Sequence, residues 1–209
     1  MTVVQSLLAF TAAAAVLTAT PGLDTAMVLR TAAAEGPRRA MLAGLGIGIG
    51  CLIWGAAVAV GLGALLAASQ TAFTVLKWAG AAYLLWLGAK LLLKPRKVFE
   101  VQAAEAGKGG GDFTWMRRGL LTNLLNPKIG VFYVSLLPQF TPEGVAAGPF
   151  MFGLAFIHFI LGLIWAVGLI AATRPLAKAL RKPAVVATLD RLTGAVFIAF
   201  AARLAFDRR

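Results

Sequence analysis

Long stretches of this chain offer water almost nothing to solvate. Residues 149–172, PFMFGLAFIHFILGLIWAVGLIAA, contain no Asp, Glu, Lys or Arg. An apolar run of about 20 residues matches the hydrocarbon thickness of a bilayer. Inside a bilayer the backbone must satisfy its own hydrogen bonds, so such a run coils into a helix. Six runs of this kind are legible, covering roughly 3–29, 39–67, 71–93, 116–140, 149–172 and 185–206. The chain is 60% hydrophobic and 13% charged, whereas soluble domains are about a quarter charged. The expectation is an all-α integral membrane protein, with residues 1–209 forming a single transmembrane domain.

The lone Cys51 excludes a disulfide framework, a redox CxxC pair and a thiolate metal cage. The net charge of +12 would suit nucleic acid, but its distribution argues for a lipid surface instead. Arg30, Arg38 and Arg39 flank the first loop. Lys90, Lys94, Arg96, Lys97, Lys108, Arg117 and Arg118 flank the third, and Arg174, Lys178, Arg181, Lys182 and Arg191 the fifth. The opposite side carries Lys77, Arg203, Arg208 and Arg209. The positive-inside rule then puts loops 1–2, 3–4 and 5–6 in the cytoplasm and both termini outside. The Gly-rich 107–111 stretch falls in a cytoplasmic loop expected over 94–115. The N-terminal MTVVQSLLAFTAAAAVLTATPG lacks the basic region of a signal peptide, so it reads as a retained first span.

KWAGAAYLLWLGAK (77–90) and RLTGAVFIAFAARL (191–204) align without gaps, Lys77 on Arg191, Gly80 on Gly194 and Trp86 on Phe200. The first and fourth runs each carry a proline break, at Pro21 and Pro127. The chain therefore reads as two three-helix units, about 3–93 and 116–206. An odd number of spans per unit inverts the second, as in many secondary transporters, whose sites lie at broken helices near the midplane.

Charge inside a bilayer is costly, so the polar residues near these breaks are the candidate site. Pro21-Gly22 frees the backbone to break, which places Asp24 in the first turn of a second half-helix. There its carboxylate either caps free N–H groups or partners a substrate ammonium or proton. In LLTNLLNPKIGVFYVSLLPQF (120–140), Asn123 and Asn126 offer amides, Pro127 frees carbonyls, and Lys128 meets either a substrate carboxylate or Asp24. Thr20 and His158 are further pathway-lining candidates, His158 alternatively serving as a helix–helix hydrogen-bonding residue. Gly44 and Gly48 form a small-xxx-small pair for helix packing, as do Gly46 and Gly50, and Gly80 and Gly194 take the same role in the repeat.

TATPGLDTAMVLRTAAAEGPRRAMLAGLGIGIG followed by NLLNPKIGVFYVSLLPQF resembles the lysine exporter (LysE) family, in its homoserine/threonine-resistance (RhtB) branch. The resemblance rests on Pro21, Gly22 and Asp24; Gly44 and Gly48; Gly80 to Leu84; Asn126, Pro127 and Lys128; and Pro138, Gln139 and Phe140, and it runs from about residue 3 to 206. It implies ion-gradient-driven efflux of amino acids or related small metabolites across the bacterial inner membrane. Many members carry a second-span histidine near the position of Trp54 and an acidic residue near Cys51; this chain has neither, so threonine or homoserine specificity does not follow. The reading is a transporter and not an enzyme, without cofactor or metal, its partners being a small amino-acid-like substrate and lipid. A homo-oligomer is left open. The alternatives are a metal or inorganic-ion exporter of the same superfamily and a non-transporting scaffold.

Overall fold

A computed structural model describes residues 1–68, 70–95, 111–173, 175, 179 and 182–206. The greater part of the loop expected over 94–115, with its Gly-rich stretch, lies outside the described residues. The order is α1 (Val3–Ala19), α2 (Leu23–Glu35), α3 (Pro37–Ala68), α4 (Gln70–Leu93), α5 (Asp112–Leu124), α6 (Pro127–Leu136), a 3-10 turn (Pro138–Phe140), α7 (Ala147–Ala171) and α8 (Pro183–Phe206). No strand occurs among the described residues. Three helical stretches, Pro37–Gly61, Ala147–Ala171 and Pro183–Ala202, are long and apolar enough to cross a membrane, and counting each of two bent helix pairs as one span gives up to five. The apolar run at 71–93 falls on α4, whose Ala81–Leu93 portion is a shorter apolar helix.

Both bent pairs sit at the prolines. Pro21 has no N–H to give, so α1 stops at Thr20, whose own N–H closes the last turn on Val16 and Leu17 carbonyls. Extended Gly22 restarts the chain as α2, and the two axes differ by 53°. At the second break Asn126 is the N-cap of α6, its side-chain oxygen accepting from Lys128 N at 3.1 Å. Pro127 occupies the first turn of α6, where a missing N–H costs nothing. The bend there is 57°. Pro127 thus begins a helix. The Asn126 oxygen, read from sequence as a solute ligand, is taken up by the cap.

Packing is organised around α3, which runs against α2, α5 and α7, while α4 lies along α8. A membrane interior offers no hydrophobic drive between helices, so close backbone approach by small residues has to supply the contact. A Cβ on Gly119 of α5 would overlap the Ala43 carbonyl of α3, and one on Gly46 would overlap the Met116 carbonyl of α5. Gly44 and Gly48 face Ala166 and Phe159 of α7, a Cβ at Gly48 falling 2.6 Å from the Phe159 ring. Between α4 and α8, Gly88 and Gly194 face one another; a Cβ on Gly194 would lie 2.6 Å from the Gly88 carbonyl oxygen. The side-chain surroundings of Gly80 lie outside what the structure describes.

Gly119→Ala is expected to push α5 off α3, at a cost in the overpacking range of about 1–3 kcal/mol. Gly61→Ala in α3, where a Cβ meets nothing within 4 Å, is the control. Thermal melting of the detergent-purified proteins should show a clear drop for the first and none for the second. Equal melting temperatures would rule out the tight α3–α5 contact.

Candidate functional site

The two breaks lie against each other, and each half-helix start reaches the end of the opposite broken pair. Lys128, at the start of α6, sends Nζ to the carbonyls of Leu17 (3.0 Å) and Thr20 (3.1 Å) at the end of α1. The last carbonyls of a helix lack intrahelical donors, and the negative end of the helix dipole favours a cation there. Lys128 therefore completes the turn that Pro21 leaves open.

Asp24, in the first turn of α2, sits at the positive end of its helix. It caps no N–H of that helix. Its Oδ2 accepts from Asn123 Nδ2 at 2.9 Å, at the end of α5. Its Oδ1 is buried and has no hydrogen bond of its own, with the Asn126 side chain beside it. Asn123 is fully buried, and its Nδ2 also lies 3.5 Å from Cys51 Sγ on α3.

Asp24, Asn126 and Lys128 line one cavity of about 60 Å³, whose other walls come from α1, α2, α3, α6 and α7. Thr20 and Gly22 line it as well, with Gly44 and Gly48 on the α3 wall. At roughly 10–15 Å³ of such volume per water molecule, it has room for about four to six waters. His158 lines the same cavity and is held at both ring nitrogens, Nδ1 3.1 Å from Tyr133 Oη and Nε2 3.1 Å from Thr18 Oγ1. Its ring stacks on Tyr133 at 5.6 Å between centroids. Trp165 of α7 is another wall residue, and its indole Nε1 is buried without a hydrogen-bond partner.

The chemistry of the walls is therefore a carboxylate oxygen able to take another donor, an ammonium group, and an indole N–H able to take an acceptor. Of the residues named from sequence, the structure brings Thr20, Gly22, Asp24, Asn126, Lys128 and His158 to this cavity. Pro21 and Pro127 shape the walls from the breaks, and Asn123 stands behind Asp24. Sequence reasoning passes over Thr18 and Tyr133 and reads Trp165 as a packing or interfacial residue. A threonine in an apolar helix carries no signal, because its hydroxyl can bond its own helix, as Thr18 does to Ala14 O at 2.7 Å. Among the described residues, no group of three or more His, Cys, Asp or Glu is placed to hold a metal ion.

Apolar helices and a polar cavity at paired helix breaks are features shared with many multi-pass membrane transporters. The LysE type translocator family model matches residues 15–208, so the chain belongs to that family. It is 33% identical to an uncharacterized membrane protein of Vibrio cholerae, with 91% of this chain and 92% of the relative covered. It is 32% identical to the leucine efflux protein of an Enterobacter species, with 88% of each chain covered. Identity to the homoserine/homoserine lactone efflux protein of Salmonella typhi is also 32%, over 92% of each. No solved structure matches. Members of this family are transporters and not enzymes, and the protein is a multi-pass protein of the bacterial inner membrane.

Proposed function

We propose that the protein is a secondary active exporter of amino acids or related small zwitterionic metabolites, driven by protons entering the cell. The observation that carries this reading is the meeting of Asp24 and Lys128 in one cavity between two broken helices. A zwitterion presents the complementary pair of charges. Its ammonium would donate to Asp24 Oδ1, and its carboxylate would take Lys128 and the Trp165 N–H. Asn123 and Asn126 would orient the two ends, and His158 would line the path. The relatives named for efflux of leucine, and of homoserine and homoserine lactone, support amino acids or related small metabolites as the substrate class.

The transport architecture proposed is six spans as two inverted three-helix repeats with both termini outside. The matching bends of 53° and 57° and the reciprocal reach across the breaks support it. Rocking of one repeat against the other would then expose the cavity to each side in turn. One charge crossing 100 mV supplies about 2.3 kcal/mol, and a tenfold gradient costs about 1.4 kcal/mol. One proton per neutral zwitterion therefore sustains a gradient on the order of fifty-fold from voltage alone.

An untargeted comparison of metabolites in the medium of cells with and without the protein tests the reading. One or more amino acids, or close relatives of them, should accumulate outside the expressing cells. An unchanged amino-acid profile would overturn it.

A further inference from the structure

A second cavity, of about 360 Å³, lies on the other side of the breaks and is lined from α4 and α8 as well as from α2 and α6. Thr20, Gly22, Asn126 and Lys128 line both cavities, so the breaks form the wall between them. Lys90 and Lys94 line only the larger one, and both residues are exposed, so it reaches the surface of the protein. None of the described residues lining it is acidic.

The two lysines are four positions apart on one face at the end of α4, separated by about 6 Å along the axis. Lys90 Nζ stands 5.2 Å from the centre of the Trp86 ring, which holds its charge in place. The helix C-terminus favours cations at this point, and Lys94 N closes the turn on Lys90 O at 2.9 Å. Three lysines thus line this cavity, Lys90 and Lys94 at its exposed end and Lys128 at the wall. The larger cavity has six times the volume of the smaller one.

We propose that this larger cavity is the cytoplasmic vestibule of the transporter and a carboxylate-binding site in its own right. A free carboxylate, led by Lys94 and Lys90, is handed to Lys128, which lines both cavities. This rests on the exporter reading above and narrows it. The substrate must carry a free carboxylate, and amides and esters of the same amino acid are discriminated against at entry. Positive potential in a cleft of this kind raises the local concentration of an anionic group, an effect that falls with ionic strength. An anionic lipid headgroup has the same chemistry, so the test separates the two.

The wild-type protein is reconstituted separately in liposomes of phosphatidylcholine alone and with added phosphatidylglycerol. Radiolabelled leucine, threonine and homoserine are assayed, and the fastest is carried forward. Flux of none of them defeats the exporter reading itself. The Lys90→Gln/Lys94→Gln double variant should raise KM about tenfold in both lipids, with the saturating rate falling less than about twofold. Lys90→Arg/Lys94→Arg should restore KM. The amide of the chosen amino acid should compete with it weakly in wild type, and the margin between the two should be clearly smaller in the double variant, which keeps Lys128.

An unchanged KM in the double variant overturns the vestibule. So does a KM effect confined to the phosphatidylglycerol liposomes, which assigns the lysines to lipid. If the double variant does not reconstitute, Lys94→Gln alone, past the end of α4, should raise KM about threefold, and no rise overturns the proposal.

Discussion

Asp24→Asn is expected to cut amino-acid efflux from proteoliposomes by roughly ten- to a hundredfold, with the protein still folded and inserted. The substituted amide keeps an oxygen in place of Oδ2, so Asn123 Nδ2 retains its acceptor across the α2–α5 contact. What disappears is the negative charge and the acceptor strength of Oδ1, which has no hydrogen-bond partner among the described residues. A hydrogen bond to a charged group contributes about 1.5–3 kcal/mol, and 1.4 kcal/mol is a factor of ten. The two together set the size of the expected loss. The melting temperature in detergent should stay within a few degrees of wild type. Efflux at the wild-type rate would remove Asp24 from the mechanism.

Lys128→Met should fail in a different way. The Leu17 and Thr20 carbonyls would lose their cationic donor, and both residues are buried. An unsatisfied buried polar group costs about 1–3 kcal/mol. The Leu17 carbonyl keeps the Thr20 N–H, so the Thr20 carbonyl bears the cost. At about 2–4 °C per kcal/mol for a chain of this size, the melting temperature should drop by roughly 2–12 °C, with efflux lost as well. Lys128→Arg retains charge and donors, so it should recover most of the melting temperature. Whether efflux recovers with it reports whether the substrate needs the compact ammonium. A Lys128→Met protein that melts like wild type would contradict the cross-break cap. The contrast with Asp24→Asn separates the residue that holds the breaks together from the residue that waits for the ligand.

Much of this arrangement was legible in sequence because its causes are local. Apolar run length marks the helices, and proline's missing N–H marks the two breaks. Boundaries were read less well. The apolar run ends near residue 29, but α2 continues to Glu35, because hydropathy reports contact with lipid and not the end of a helix. The stop is at Gly36, whose φ of +90° suits glycine, followed by Pro37.

The site was legible as a set of residues and much less as a set of bonds. Asp24 and Lys128 stand out as charges in apolar runs, which invites pairing them directly. Lys128 nonetheless reaches main-chain carbonyls, which exist at every residue and leave no trace in the sequence. Gly119 and Gly88 were missed for a related reason. Neither needs an unusual backbone angle; each is glycine because a neighbouring helix crosses there, and that neighbour is known only once the chain is folded.

The proposed transport cycle stands on a zwitterion bound between Asp24 and Lys128 and carried across the membrane. Its most direct test is efflux of radiolabelled leucine, threonine and homoserine from proteoliposomes under an imposed proton gradient, with Asp24→Asn run in parallel. Flux of at least one of them is expected well above that from protein-free liposomes, reduced at least tenfold in the variant. Flux no greater than from protein-free liposomes for all three, or equal flux in the variant, would contradict it.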